Sequence, residues 1–331
     1  MKKKSKLIAL LLVIMLIVTL SGCSQPAPQS SGGDAPKDEM IELKHRSGST
    51  SGTWYPASGV MAEFLPNEIP GLTITVTPGA GQSNVEAIQS GISNFAIGKA
   101  AATFQGLNGE APFTQKTDLV RNMGYLYDEA WHLVVRADSG INSVADLKGK
   151  SLTTQVKGNL AEDMTRNILA ASDITYDDLK KVTQVGYEDS VQQMKDGIVD
   201  AFTFATAIPA SVLMDLASVR DVKIISLDAK TIETMKKNNG AYIQRTIPAG
   251  TYTGQDSDVI TIGTATHMMV PSTMSDEIVY KLTKAIVENR EKLGEAHVAY
   301  KGLTPEIMGM DIGIPMHPGA EKYYKEIGAI K

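Results

Sequence analysis

The sequence predicts an α/β fold in two lobes, and three observations carry that reading. Strand-like runs alternate with amphipathic helical patterns along almost the whole chain beyond residue 40. The loops that follow the first two strands, 45–56 and 78–84, are both rich in glycine and hydroxyl residues, as expected where strand C-termini of one parallel sheet converge on a crevice. A long β-rich run at 259–270 follows a second set of α/β units, so the chain leaves one lobe and returns to it.

The N-terminus is read first. Lys2, Lys3, Lys4 and Lys6 precede an almost unbroken apolar run over 7–20. That run is short for a membrane span and fits a signal-peptide core. Leu20-Ser21-Gly22-Cys23 follows and resembles the lipobox of bacterial lipoproteins, whose cysteine is acylated and becomes the new N-terminus. The expectation is a signal peptide over 1–23 with lipidation at Cys23 and an extracytoplasmic protein anchored to the cell membrane. Each buried CH₂ of the acyl chains adds roughly 0.8 kcal/mol to that anchorage. A plain secretory signal with a chance cysteine is the alternative. Residues 24–39 are rich in Ser, Gln, Pro, Ala and Gly without a large apolar residue, which reads as a flexible tether.

Cys23 is the one cysteine, which excludes an internal disulfide framework and a cysteine-cluster zinc site. Past residue 23 the chain carries 28 basic against 37 acidic residues, or −9. Such a body is unsuited to nucleic acid, which needs a basic face.

The elements follow in order. Residues 40–44 read as a strand and 57–65 as a helix with Val60, Met61, Phe64 and Leu65 at helical spacing. Between them lies His45-Arg46-Ser47-Gly48-Ser49-Thr50-Ser51-Gly52-Thr53-Trp54-Tyr55-Pro56. Free N–H groups at a helix start favour anions. Gly48 and Gly52 let backbone approach a ligand, and Tyr55 could form a wall. Plain helix capping is the other reading of this loop. Residues 72–77 form a strand, 85–90 a helix and 94–98 a buried strand ending at Lys99. Two strand-like runs, 123–128 and 131–136, flank Asp128-Glu129, read as a solvated loop pair, with calcium ligation or acid–base work as the other reading. The second lobe continues with a short helix at 144–149, a strand at 151–154 and a loop at 155–159. A helix at 161–172 and a strand at 182–185 come next, then a helix at 190–196 and a strand at 200–206. Pro209 is placed in the first turn of the next helix, where proline fits. Strands at 222–227 and 259–270 and amphipathic helices at 276–289 and 321–327 complete the chain.

No Gly-x-Ser-x-Gly elbow, phosphate-loop Gly-Lys-Ser/Thr or His-Glu-x-x-His motif is present in the sequence. His45, His132, His267, His297 and His317 lack ligand spacing. His132 and His267 lie in inter-lobe strands and read as hydrogen-bonded structural residues. No cofactor, metal or catalytic pair is expected, and a receptor closing on a small solute is the class that remains.

Several stretches now match one family. They are Gly48-Ser49-Thr50-Ser51-Gly52-Thr53-Trp54-Tyr55-Pro56, Gly79-Ala80-Gly81-Gln82-Ser83-Asn84-Val85-Glu86 and Val134-Val135-Arg136-Ala137-Asp138-Ser139-Gly140-Ile141, followed by Asp146-Leu147-Lys148-Gly149-Lys150 and Lys195-Asp196-Gly197-Ile198-Val199-Asp200-Ala201-Phe202. Ile247-Pro248-Ala249-Gly250-Thr251-Tyr252 and Ile314-Pro315-Met316-His317-Pro318-Gly319-Ala320-Glu321-Lys322-Tyr323-Tyr324 complete the set. The chain resembles the TAXI-type solute receptors of tripartite ATP-independent periplasmic (TRAP) transporters.

The resemblance implies a type II periplasmic-binding-protein fold, two α/β lobes joined by two crossing strands. Lobe I would be 40–135 with 262–331, and lobe II 136–261. It implies capture of a small organic acid or an amino acid such as glutamate, delivered to a sodium-driven membrane permease, with no catalysis. The family's ligand-facing loops map onto Ser49, Thr50, Thr53 and Tyr55, and onto Gly81, Ser83 and Asn84. From the second lobe Asn159, Thr206 and Ala207 would close the other side. Three departures lie at the crevice: Lys99-Ala100-Ala101 in place of Gln-Ser-Asp, Gln155-Val156-Lys157-Gly158-Asn159-Leu160 in place of a Gly-x-x-Gly-Ser-Gly loop, and Ala207 in place of Gly before Ile208-Pro209. Lys99 reads either as a solvated lysine at a helix start or, where it faces the crevice, as a point charge for the solute's carboxylate, since a buried lysine needs an anionic partner. A ligand sensor signalling to a membrane partner and an exported enzyme on the same scaffold are the alternatives, since fold alone does not separate them.

Overall fold

The computed structural model describes residues 40–331. The expected signal peptide over 1–23, with Cys23, and the expected tether over 24–39 lie outside the described residues. Ten strands form one sheet: β1 (Ile41–Arg46), β2 (Leu72–Thr77), β3 (Phe95–Lys99), β4 (Val120–Arg136), β5 (Ser151–Thr154), β6 (Lys181–Gln184), β7 (Ala201–Thr206), β8 (Val222–Ile224), β9 (Tyr242–Ile247) and β10 (Val259–Pro271). Eleven helices pack on it among the described residues. They are α1 (Trp54–Glu68), α2 (Gly81–Gln89), α3 (Ala100–Asn108), α4 (Leu160–Ala171), α5 (Tyr187–Lys195), α6 (Ser211–Ala217), α7 (Ala229–Asn238), α8 (Asp276–Glu288), α9 (Arg290–Ala296), α10 (Pro305–Met308) and α11 (Pro318–Glu326).

The strand order is β2-β1-β3-β10-β4-β7-β5-β6, with β8 beside β4 and β9 beside β10. At one end β1 runs parallel to β2 and β3; at the other β5 runs parallel to β6 and β7. The long strands β4 and β10 pair antiparallel in the middle and connect the two ends. All five residues of β3 are buried, as in a parallel strand covered on both faces.

Two large clusters form most of the core, and one of them runs from Val85, Ile88 and Ala96 at the first end to Leu152 and Met164 at the second. Leu43, Met61, Leu65, Phe95, Leu282 and Ile286 pack α1 and α8 against β1 and β3, all at most 1% exposed. Leu152, Met164, Ile168, Ile232 and Met235 pack α4 and α7 against β5. Each such side chain contributes roughly 1.5–3 kcal/mol through burial. Local signals fix the helix starts: Ser275 accepts from the Ile278 N–H and Asp228 from the Thr231 N–H.

Two local expectations are corrected. Residues 120–136 form one continuous strand, so Asp128 and Glu129 sit inside β4 rather than in a solvated loop. Pro209 precedes α6, whose N-cap is Ala210. The sequence reading also passed over α3, α7, α9, α10 and β9. His132 and His267 are buried in the crossing strands. The His132 ring nitrogens lie 2.9 Å from the Ala130 carbonyl and 3.0 Å from the Tyr252 hydroxyl. Those of His267 lie 2.9 Å from Thr103 Oγ1 and 3.2 Å from Asn122 Oδ1.

Candidate functional site

The parallel strands all end toward one crevice. The turn after β1 contributes Gly48, Ser49, Gly52 and Thr53, and that after β2 Gly79 and Ala80. Lys99 closes β3, and Ala205 with Thr206 close β7. Asn159 caps α4, its side chain accepting from the Ala161 N–H at 3.0 Å. Trp54, Gly81 and Tyr187 are the first residues of α1, α2 and α5 and line the same cavity. Four helix N-termini therefore meet there, each presenting the positive end of a helix dipole, with the Ala161 N–H of α4 already taken by the Asn159 cap. The cavity measures about 40 Å³, space for water molecules only. A second chamber of about 140 Å³ adjoins it and shares Gly52, Thr53, Tyr187 and Thr206 as lining. Thr53 and Thr206 hydrogen-bond at 3.2 Å across that shared wall.

The centre of the crevice is a buried ion pair. Lys99 Nζ lies 2.7 Å from Glu129 Oε2, with the side chains 5% and 1% exposed. Nζ also donates to the Ala205 carbonyl at 3.3 Å and stands 5.8 Å from the Trp54 ring centre. Trp54 Nε1 donates to the Tyr127 hydroxyl at 2.8 Å, fixing both rings as one wall. The Tyr187 hydroxyl donates to the Ala205 carbonyl at 3.2 Å. Glu129 Oε1 is buried and has no hydrogen-bond partner among the described residues. Burial pushes the Glu129 carboxyl above its ordinary value, and the Lys99 ammonium opposes that rise. Lys99 thus has an anionic partner, and that partner is internal.

The structure brings Ser49, Thr53, Gly81, Lys99, Asn159 and Thr206 to the cavity and places Thr50 in the adjoining chamber. Ser83 instead lines a separate surface cavity of about 510 Å³ with Arg46 and Glu86. Tyr55 and Ala207 line neither crevice chamber; Ala207 is buried in the core beside α1. Asn84 is fully buried and acts on the loops themselves. Its Nδ2 donates to the carbonyls of Ser47 at 2.6 Å and Ile97 at 2.9 Å, while its Oδ1 accepts from the Ala80 N–H at 3.2 Å and Arg46 Nε at 3.2 Å. Gly79 makes this possible: a Cβ there would meet the Asn84 side chain and the Ser47 carbonyl.

Sequence reasoning missed Tyr127, Glu129 and Tyr187 as cavity residues and took Trp54 only as part of a motif. Tyr127 and Glu129 are two residues apart on β4 and so share a face. That spacing was available, but two adjacent carboxylates suggested a break in the strand because Asp and Glu are depleted in strands. Asp128, on the opposite face, pairs with Arg245 of β9 at 3.0 Å, with side chains 21% and 35% exposed.

Comparison with known proteins agrees with this architecture. An ancestral arginine-binding protein bound to arginine superposes with a TM-score of 0.51 at 17% identity, over 80% of this chain and 100% of that one. XAC2383 from Xanthomonas citri bound to chloride ion gives a TM-score of 0.50 at 12% identity, over 88% of this chain and 97% of that one. At such identities the likeness establishes the fold. It is a periplasmic-binding-protein fold of type II, two α/β lobes joined by the crossing strands β4 and β10. Matched from residue 46 to residue 328, the chain belongs to the NMT1-like family.

Proposed function

We propose that the protein is an extracytoplasmic solute receptor. It captures a small organic anion or an amino acid between two lobes, 40–135 with 262–331 and 136–261, and delivers it to a sodium-coupled TRAP permease of the TAXI type. The observation that carries the reading is the convergence of four helix N-termini, those of α1, α2, α4 and α5, on one crevice. Such ends attract a carboxylate through their N–H groups and their dipoles. The cavity of about 40 Å³ is too small for an organic acid, so entry requires the lobes to part about β4 and β10, a hinge motion common to two-lobed receptors. The TAXI-like sequence blocks support the permease partner. A lipid anchor at Cys23 would hold the receptor beside it. The protein binds its solute and releases it chemically unchanged.

The test is isothermal titration of the purified protein with mono- and dicarboxylates, amino acids and sugars, followed by mass spectrometry of the recovered solute. Saturable binding of a carboxylate-bearing solute, recovered intact, is expected. Binding confined to sugars, or recovery of a converted product, would sink the reading. The permease is tested separately: uptake of the bound solute into vesicles carrying it should require both this protein and a sodium gradient.

A further inference from the structure

We propose that Lys99 and Glu129 together set the specificity of this crevice and select a zwitterionic α-amino acid with an uncharged side chain over an acid or an amine alone. The inference rests on the receptor reading above and names its solute class.

Lys99 and Glu129 are the only charged side chains lining the central cavity among the described residues. They carry one charge of each sign, 2.7 Å apart and almost fully buried, so the empty site is neutral. A lone carboxylate would be drawn by the helix N-termini and Lys99 but would stand close to the buried Glu129 carboxylate with no cation to spare between the two anions. A lone amine would leave a buried net positive charge. Either excess is costly away from water. A zwitterion keeps the site neutral and gives each of four charges an opposite neighbour.

The unused bonding capacity of the pair fits the same solute. An ammonium has three donors. That of Lys99 uses one on Glu129 and one on the Ala205 carbonyl, which leaves one beside the N-termini of α1 and α2 for a solute carboxylate. Glu129 lines the cavity and its Oε1 is buried without a partner among the described residues, so that oxygen is the free acceptor for a solute ammonium. The adjoining chamber is lined by Thr50, Ser51, Ser211 and Val212 and carries no Asp, Glu, Lys or Arg. His297 at its edge is kept toward its neutral form by burial. A solute side chain reaching that chamber meets hydroxyls rather than a counter-charge.

The experiment is isothermal titration of the purified protein with uncharged amino acids from glycine to glutamine, and with the matched acids lacking the amine and amines lacking the carboxylate. At least one amino acid should bind saturably, and its two truncated relatives should bind about 30-fold more weakly or worse, the loss typical of an unpaired buried charge. Glu129→Gln should weaken the amino acid by a similar factor and strengthen the matched acid, because Lys99 is then a lone cation. A gain of affinity cannot come from misfolding, and the wild-type comparison requires no variant. If the acid binds wild-type protein as tightly as the amino acid does, or if Glu129→Gln leaves amino-acid affinity unchanged, the zwitterion inference is overturned while the receptor reading stands. If no carboxylate-bearing solute of any kind binds, both fall.

Discussion

Asp128 and Glu129 are neighbours on β4 with the same functional group, yet they live in different media. Alternation along the strand turns them to opposite faces. Asp128 reaches Arg245 at 3.0 Å in a pair that stays partly wet. Glu129 reaches Lys99 at 2.7 Å in a pair that is nearly dry. An exposed pair exchanges water for a partner of similar worth and gains little. A buried pair has lost its water already, so each charge depends on the other. Burial, rather than the carboxylate itself, decides what each residue is worth.

The widest break of that comparison is acid, which acts on the buried groups. Burial lowers the His45 and His132 imidazoles from 6.5 to about 4 and that of His267 to about 3. Between 6.5 and those values the unfolded chain binds more protons than the folded one. Stability is therefore fully present above pH 6.5 and is lost as pH falls through the window, by roughly 3 kcal/mol for each of His45 and His132 and roughly 5 kcal/mol for His267. Glu129 works in the opposite sense: its raised value contributes stability below 4.5 that is lost as pH rises through the folded value. Urea midpoints from pH 8 to pH 4 should fall steeply, and a flat profile would contradict the buried neutral imidazoles.

Glu129→Leu comes next. It strands a buried ammonium and should cost roughly 3–5 kcal/mol, whereas the double variant Lys99→Met/Glu129→Leu should recover most of that loss or exceed wild type. A double variant as unstable as the single one would show that the two charges are not coupled. Gly263→Ala is a third, smaller perturbation. A Cβ on Gly263 would meet the Glu129 carbonyl where β10 passes β4, and overpacking against rigid backbone costs typically about 1–3 kcal/mol. Unchanged thermal unfolding would mean that the two strands separate there without strain. Asp128→Asn should change stability least, within about 1 kcal/mol. A larger loss in urea melts would move the wet pair into the same class as the dry one.

Much of this molecule was legible locally. The hydroxyl and glycine turns at 47–53 and 78–80, the return strand β10 and the amphipathic α8 each announce themselves within a short window. What was missed has physical reasons. The first residues of α3, Ala100, Ala101 and Ala102, are small and all buried, so that helix shows no polar face to reveal its period. β9 has a polar centre, Gln244-Arg245-Thr246, and lies beside β10 alone, which removes the apolar alternation that marks a strand. Glu129 looked like a surface charge because its partner comes from β3, and only the sheet brings the two together. Asn84 is placed at the ligand by the family resemblance alone. Its burial among three carbonyls could not be seen from its neighbours in sequence.

That asparagine has a thermodynamic consequence. By tying the turn after β1 to the turn after β2 and to the end of β3, Asn84 holds three backbone segments in one arrangement. Ordering a residue's backbone costs about 1–2 kcal/mol in conformational entropy. Here the cost falls at folding, when the core forms, and does not recur at each encounter with a solute. The first wall of the crevice is a template set in advance, and the freedom lost on closure belongs chiefly to the hinge and to the visitor.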